Sequence, residues 1–291
     1  MNRTITAYPL LRKLTTLAIG ALVLLPVGCD DTDTPSIDAD EMPLVVEGWI
    51  AENETPVVMV THAIPLDADI TDFSTVVERW CRVSIFDNEQ QYMLTARIND
   101  SYIPSLIYTS ARLRGKGGHT YRLLVETDTH SASAEVTMPM REKMTLRLKA
   151  EPVEGIDTLY RVRAFVDNLQ PDGCYKFYVR GMNTDSRLYP AFMGNLTATD
   201  YDPEQGREIS RGIHALFNSD EENSFTHYFH PGETVMVQLC RIDQEVFNFW
   251  QVYDANVSLS NNLFFTFTSD CPGNIYGAKG YFSPHSATTS S

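Results

Sequence analysis

Alternation of apolar and polar residues is the feature that most constrains this chain, because a period of two fits only β-strands. The clearest stretch is residues 131–138, in which Ala132, Ala134, Val136 and Met138 share one face. The other face carries polar side chains only, as expected for a strand with one side in a core and the other in solvent. Many short segments rich in β-branched and aromatic residues predict an all-β protein.

A glycine-rich turn leads into a tyrosine just before that strand. Residues 115–118 include three glycines, and Tyr121 follows with Leu123 and Val125 on its face. This arrangement is typical of the tyrosine corner of immunoglobulin-like sandwiches, in which the ring packs in the core and the hydroxyl group binds backbone upstream. The sequence therefore predicts an immunoglobulin- or fibronectin-like β-sandwich of seven strands over residues 42–139.

The second half predicts a separate β domain over residues 140–285. Asp172 and Gly173 form a turn signal that predicts a hairpin between residues 158–167 and 174–181. Residues 182–207 show weak periodicity and predict a long loop, and long loops often carry binding surfaces. The candidate contact residues in this loop are Tyr189, Asp200, Tyr201, Asp202 and Glu204.

One segment of the second half changes to a helical period. Asp243 suits an N-cap, and Val246, Trp250, Tyr253 and Val257 follow at spacings of four, three and four. We predict a single amphipathic helix over residues 243–257, laid on a sheet, and assign its aromatic stripe to core packing. Residues 286–291 are predicted to be a disordered tail.

The start of the chain predicts a lipoprotein signal peptide over residues 1–28. An apolar run at residues 14–28 follows basic residues, is too short to cross a bilayer, and ends at Cys29 in a pattern similar to a bacterial lipobox. We expect lipid on Cys29 to anchor the protein to the outer membrane. The acidic residues 29–41 are expected to form a flexible tether, and they also resemble the surface-export signal of Bacteroidota lipoproteins.

The charge balance excludes one class of partner. The formal net charge is −15 at pH 7, which repels nucleic acid, so we expect no nucleic-acid partner.

Four further cysteines, Cys81, Cys174, Cys240 and Cys271, allow three complete disulfide pairings in an oxidising envelope. Cys81 shares a face with apolar neighbours, which favours a buried free thiol. Of the alternatives, we predict a bridge between Cys240 and Cys271, which would join the two ends of the helix.

The motifs of common enzymes and metal sites are absent from the sequence. We find no nucleophile elbow, zinc-protease motif, phosphate-binding loop or Cys-x-x-Cys pair, and we expect no catalytic residue, cofactor or metal. Asp200, Asp202 and Glu204 alternate as in some calcium loops, but Pro203 and Gly206 are misplaced for that pattern, which favours a solvated acidic loop. A carboxylate pair for glycoside cleavage needs proximity in space and no motif, so this alternative stays open.

The end of the chain resembles a known family. The strings at residues 235–243 and 274–285, the helix with Phe247 and Trp250, and residues 44–48 are similar to the Bacteroidota lipoprotein family called domain of unknown function 4249. The resemblance implies no enzymatic activity, and it implies gene neighbours that encode TonB-dependent outer-membrane receptors. Residues 274–282 are interpreted from their glycines and aromatics as a structural clasp for the C-terminus.

Three functions follow as hypotheses. The first is a cell-surface lipoprotein that assists a TonB-dependent β-barrel receptor in nutrient capture or uptake, without catalysis. The second is a free-standing glycan- or protein-binding module, suggested by Trp49, Trp80, Tyr189 and Tyr201. A hydrolase ranks below both.

Overall fold

The computed structural model describes residues 42–63, 73–213, 226–259 and 271–290. The predicted signal peptide, the predicted lipid attachment at Cys29 and the predicted acidic tether at 29–41 lie outside the described residues. Within the described residues the protein is mainly β, with several sheets and one α-helix, which confirms the predicted fold class.

The first half of the chain supplies eight strands, and a short 3-10 helix at Phe73–Val76 precedes the third. The strands are β1 (Leu44–Ala51), β2 (Val57–His62), β3 (Arg82–Asp87), β4 (Gln90–Met93), β5 (Thr95–Ile98), β6 (Leu106–Thr109), β7 (Thr120–Glu126) and β8 (Ser131–Thr137).

The second half supplies the other strands and the helix. In chain order these elements are β9 (Thr145–Val153), β10 (Ile156–Asp167), β11 (Cys174–Gly181), β12 (Tyr189–Thr197), β13 (Arg207–Ile209), β14 (Val235–Ile242), α1 (Gln244–Leu259) and β15 (Lys279–Ser290).

The strands form three sheets. The large sheet has eight strands in the order β12-β11-β14-β15-β1-β2-β6-β5, the four-stranded sheet has the order β4-β3-β7-β8, and the three-stranded sheet has the order β13-β10-β9. The last strand, β15, joins the two halves of the large sheet. Its first part pairs with β1 in parallel, and its last part, Ser286 to Ser290, pairs with β14 antiparallel.

The first hydrophobic core lies between the large and the four-stranded sheets. Val46 and Ile50 of β1 share one buried cluster with Leu123 of β7, because alternate residues of each strand point to this side. Tyr121 is fully buried there, and its hydroxyl oxygen accepts a 2.8 Å hydrogen bond from the amide of Lys116. The predicted tyrosine corner is therefore confirmed.

The second core lies between the large and the three-stranded sheets, and it also contains a tyrosine corner. Tyr175 of β11 packs with Val162 of β10 and Leu239 of β14. Its hydroxyl accepts a 3.0 Å bond from the amide of Gln170 and donates a 2.7 Å bond to the Glu142 carboxylate. In both cores the tyrosine hydroxyl thus binds the amide five residues upstream.

Helix α1 covers the opposite face of the large sheet in the second half of the chain. Val246, Trp250, Tyr253 and Val257 are all buried, in one cluster with β11, β14 and β15. The Asp243 side chain accepts a 2.8 Å bond from the amide of Glu245 at the helix start. The predicted helix, its N-cap and its buried stripe are confirmed.

The predicted domain boundary at 139/140 does not coincide with a break in the structure. Strands from both sides of this point belong to the large sheet, and the described residues belong to one compact unit. The predicted hairpin around Asp172 is also wrong, because β10 and β11 lie in different sheets and the turn carries the chain from one sheet to the other. The described part of the first half contains eight strands, whereas seven were predicted for residues 42–139.

Two predicted irregular segments contain strands. The predicted loop at 182–207 contains β12, which pairs with β11 at the edge of the large sheet. The predicted disordered tail is the end of β15, where Ser286 to Ser290 pair with β14. A short polar segment can be ordered in this way because ladder hydrogen bonds need only backbone groups.

The interpretation of residues 274–282 as a clasp agrees with the structure. The Asn274 side chain donates to the carbonyl of Phe282 and accepts from its amide, both at 2.8 Å. Phe282 is fully buried in the first core.

The predicted Cys240–Cys271 disulfide is not formed. Both cysteines are buried free thiols, and their sulfur atoms donate to different acceptors, the Gln238 side chain and the Phe249 carbonyl. Cys81 and Cys174 are also free. Burial raises the pKa of the Cys271 thiol to about 11, which favours the inert protonated form.

Candidate functional site

A cavity of about 780 Å³ lies on the helix-bearing face of the large sheet. Strand β1 forms the floor of the cavity, because its alternate side chains point to this face of the sheet. Val46 and Ile50 of β1 point into the first core, so Val45, Glu47 and Trp49 point to the other side. Helix α1 covers this face only in the second half of the chain, and the cavity opens beside it.

Both halves of the chain contribute to the lining. The walls combine β1, β2, β11, β14, β15 and the start of β12 with the helix and two connecting segments, near residues 102–104 and 186–188. Among the lining side chains that carry the chemistry are Glu47, Trp49, His62, Tyr102, Tyr178, Arg187, Tyr189, Gln238 and His285.

The back wall is a buried aromatic cluster. The ring of Phe249 lies 4.8 Å from that of Tyr281, and Trp250 lies 5.3 Å from Tyr281, measured between ring centroids. With Tyr253 these rings are almost completely buried. Their main contribution is to packing of α1 on the sheet, and they give the cavity an apolar end.

A fixed ion pair holds the helix behind this wall. The Lys176 ammonium group lies 3.1 Å from the Asp254 carboxylate, and both side chains are buried. Asn195 donates a further 2.8 Å bond to the same carboxylate oxygen. Burial lowers the pKa of Lys176, while Asp254 opposes that shift. The ammonium group also lies 4.6 Å from the Trp250 ring centroid.

Arg187 occupies the other end of the cavity, among half-buried rings. Its guanidinium carbon lies 4.1 Å from the ring centroid of Tyr189, 4.4 Å from Tyr102 and 5.8 Å from Trp49. Two backbone carbonyls fix its orientation: Nε donates to Ser101 at 2.9 Å, and a terminal nitrogen donates to Leu188 at 3.0 Å. Cation–π contacts and carbonyls together hold a planar cation beside the cavity.

Glu47 is the carboxylate of the floor. In the sheet it lies between Met59 of β2 and Tyr281 of β15, so its neighbours are an apolar and an aromatic residue. Burial raises the pKa of Glu47 to about 7, and the charge of Arg187 opposes the shift. At neutral pH this group is therefore close to half protonated, and it can both accept and donate hydrogen bonds.

Two histidines line the cavity. Burial lowers the pKa of His285 to about 4, so its ring is neutral at neutral pH. The ring stacks on Tyr178 at 5.8 Å, and Nδ1 lies 2.9 Å from the Ser283 carbonyl oxygen. His62 lies 3.1 Å from the Glu78 carboxylate.

The structure separates the predicted contact residues. Tyr189 lines the cavity, and its hydroxyl donates to the Ser101 carbonyl at 3.2 Å. Tyr201 packs against the second core, where its hydroxyl accepts a 2.7 Å bond from the Val166 amide. The predicted group is therefore not one surface.

The acidic members of the predicted group lie on an exposed turn between β12 and β13. Thr197 donates a 2.8 Å bond to Asp200, and Asp202 accepts from the amide of Glu204 at 2.9 Å. Within the described ranges, no group of three or more acidic, histidine or cysteine residues has a geometry that could hold a metal ion.

The two tryptophans singled out from the sequence differ in position. Trp49 is half-buried in the cavity lining, while 86% of the Trp80 surface is exposed and Trp80 lies outside the lining. No helix in the described part of the chain has the length and apolar character needed to span a bilayer.

Comparison with known families gives one assignment. The sequence profile of a family described as a domain of unknown function, DUF4249, matches residues 30–291. The chain belongs to the DUF4249 family. The family resemblance found in the sequence is thus confirmed, over nearly the whole of the chain after the predicted signal peptide. No curated protein matches this DUF4249 chain.

Sequence reasoning missed Glu47, Arg187 and His285 as cavity residues of this DUF4249 protein. One signal was available for Glu47, because a carboxylate interrupts the otherwise apolar strand at residues 44–50. No comparable signal marks Arg187, which reaches the cavity only because β12 lies on the large sheet.

Proposed function

We propose that this protein is a non-enzymatic, lipid-anchored binding protein of the outer membrane, exposed at the cell surface. In this proposal it holds a small nutrient molecule in the cavity and passes it to a TonB-dependent β-barrel receptor. The observation that carries the proposal is the cavity of about 780 Å³, within the range of roughly 300–1,000 Å³ typical of small-molecule sites.

The chemistry of the lining supports binding. Accessible rings lie beside a few oriented polar groups, Glu47, Arg187 and His285, which is the usual composition of a ligand pocket. The lining comes from both halves of the chain, so the cavity exists only when the large sheet is complete.

The lipid anchor and the receptor partner in this proposal are supported by the sequence. The pattern at Cys29 supports acylation, and two or more acyl chains would give stable attachment because each buried CH₂ contributes about 0.8 kcal/mol. The family resemblance supports the receptor as partner.

The test is gentle solubilisation of the outer membrane, affinity purification of the tagged lipoprotein and native mass spectrometry. We expect a β-barrel receptor to co-purify, acyl mass on the N-terminal cysteine, and a small-molecule adduct that is lost in a Trp49→Ala variant. Trp80→Ala is the matched control, since it removes an exposed ring outside the cavity. Repeated recovery of the lipoprotein alone, without an adduct, would contradict the proposal.

A second candidate is a free-standing binding module. The positions of Trp49 and Tyr189 in the cavity lining favour it, since both were motives for this alternative. It predicts the same adduct and no receptor, so the purification above distinguishes the two.

A hydrolase stays the third hypothesis. Glu47 lies on the cavity floor and Glu54 is exposed at its lining. Release of product from bound ligand during the same purification, lost in Glu47→Gln, would favour it.

A further inference from the structure

The accessible part of the cavity differs from its buried wall. Four rings are half-buried and line the open space, those of Trp49, Tyr102, Tyr178 and Tyr189. The polar side chains between these rings include hydrogen-bond donors and acceptors, and both positive and negative groups are present among them. This mixture of ring faces and hydrogen-bonding groups restricts the class of ligand that fits.

A cationic ligand is disfavoured because a cation already faces the rings. The guanidinium group of Arg187 lies 4.1 Å from the Tyr189 centroid and 4.4 Å from the Tyr102 centroid. Aromatic faces attract a ligand cation only when they are free to receive it. Arg187 would also repel a second positive charge at that end.

An anionic ligand is disfavoured by the net negative charge of the whole protein, which the lining of the cavity does not offset. Glu47 and Glu54 line the cavity beside Arg180 and Arg187, so the lining has no excess of positive charge, and the chain carries a formal net charge of −15. A protein of this sign repels anions as they approach and slows their association.

A purely apolar ligand is disfavoured by desolvation. It would displace water from Glu47, Arg187, Gln238 and His285 without replacing the hydrogen bonds of that water. Each buried polar group left without a partner costs about 1–3 kcal/mol, and a charged group costs more. Arg187 and His285 keep protein partners at Ser101, Leu188 and Ser283, but loss of water at Glu47 and at the remaining hydrogen-bonding positions still opposes a purely apolar ligand.

We propose that the cavity binds a neutral saccharide of one to three sugar units, an inference that rests on the proposed binding function. A sugar ring presents an apolar C–H face and a polar edge, which match the two kinds of lining group. A C–H face packs on Trp49, whose ring centroid lies 5.8 Å from the Arg187 guanidinium carbon and is the least covered of the three rings beside it. The hydroxyl groups donate to Glu47 and accept from Arg187. Hydrogen bonds to such ionised groups are roughly twice as strong as neutral ones.

The direct test is isothermal titration of the full mature lipoprotein with maltotriose, cellotriose, xylotriose, mannotriose and lactose at millimolar concentrations. The detergent must lack a sugar headgroup, and an amine-oxide detergent satisfies this condition. We expect at least one saccharide to bind. We expect Trp49→Ala and Glu47→Ala to weaken it by at least tenfold, which equals about 1.4 kcal/mol.

Trp80→Ala is the matched control and should bind with the wild-type affinity, because its ring is exposed and outside the cavity. Thermal melting reports whether each variant folds. If Trp49→Ala does not fold, Tyr102→Ala replaces it, because Tyr102 lies on the segment between β5 and β6 and outside both cores.

Three charged or apolar probes separate the failure of this inference from the failure of the proposed function. These probes are tetramethylammonium, citrate and 1-naphthol. Binding of one of them, lost in Trp49→Ala, with no saccharide bound, would overturn the saccharide class and leave the cavity as a binding site. Absence of binding by every probe would overturn the saccharide inference and also count against a binding function.

Discussion

A side chain at Gly280 would overlap the carbonyl oxygen of Val46, its parallel partner in β1. Gly280 also has a φ of +104°, a conformation that residues with a Cβ rarely adopt. The strand that joins the two halves of the large sheet therefore approaches β1 at a position where only glycine fits.

We predict that Gly280→Ala lowers the free energy of unfolding by about 3 kcal/mol or more, because overpacking adds to backbone strain. Gly155→Ala is the matched control: its φ is +80°, but nothing lies within 4 Å of the added carbon. Strain alone should cost this control about 1 kcal/mol. Urea denaturation measures the free energy of unfolding of both variants. Equal decreases in the two variants would show that the contact with Val46 is unimportant.

Removal of the hydroxyl group should lower the free energy of unfolding by different amounts in the two tyrosine corners. Tyr121→Phe removes one bond, from the Lys116 amide, and should cost about 1 kcal/mol. Tyr175→Phe removes the bond from Gln170 and also the bond to the Glu142 carboxylate, and should cost about 2 kcal/mol or more.

Tyr276→Phe is the control for both corners, since 83% of its surface is exposed. Its unfolding free energy should change by less than about 0.5 kcal/mol, as for most surface substitutions. A Tyr175→Phe loss no larger than that of Tyr121→Phe would contradict the role given to Glu142.

The sequence correctly predicted the elements that are determined by interactions between residues close together in the chain. Alternation around Ala134, the spacing of Val246 and Trp250, and the turn before Tyr121 each determine an element without reference to distant residues. These elements are present as predicted.

The predictions that were wrong or missing concern features that depend on pairing between strands far apart in the chain. The turn at Asp172 has hairpin chemistry, but local turn chemistry does not determine whether the next strand stays in the same sheet or crosses to another. The cavity depends on Glu47 and Arg187 meeting on one face of a sheet built from both ends of the chain, which no local pattern encodes. The weak periodicity of β12 has a local cause, because its register with β11 shifts between Lys176 and Tyr178 and this irregularity interrupts the alternation.

The buried pair Lys176–Asp254 predicts strong coupling. Lys176→Met should cost about 3–5 kcal/mol, because the Asp254 carboxylate would keep its buried position without this cation. The double variant Lys176→Met with Asp254→Leu should recover most of the loss, because neither charge is then buried.

Lys149→Met is the control for this cycle. Lys149 lies 2.8 Å from Glu151 with 64% of its side chain exposed, and exposed pairs contribute about 0–1 kcal/mol. Chemical denaturation of the single and double variants gives the coupling energy. Additive losses in the double variant would rule out a direct interaction between Lys176 and Asp254.

The raised pKa of Glu47 predicts a pH dependence of stability. The folded protein holds the Glu47 proton up to a pKa of about 7, whereas the unfolded chain releases it near 4.5. Between these values the folded state binds more protons, so the contribution of Glu47 to stability falls as the pH rises. Glu47→Gln removes this contribution. Relative to the wild type, the variant should gain stability steadily from pH 4.5 to 7 and keep a constant advantage above it.

Glu151→Gln should show the opposite trend. The hydrogen bond from Lys149 lowers the pKa of Glu151, so its stabilising effect is present at neutral pH and is lost in acid. Urea denaturation over a range that extends from neutral pH to below pH 4.5 measures both differences, because the Glu151 effect is lost only below the unfolded pKa. Subtraction from the wild type cancels the other titrating groups. A flat difference for Glu47→Gln would mean that the floor carboxylate is as well solvated as in the unfolded chain. Where the slope is present, bound saccharide should reduce the pH dependence of the difference between the wild type and Glu47→Gln, because its hydroxyl groups stabilise the ionised form of Glu47 in the folded state.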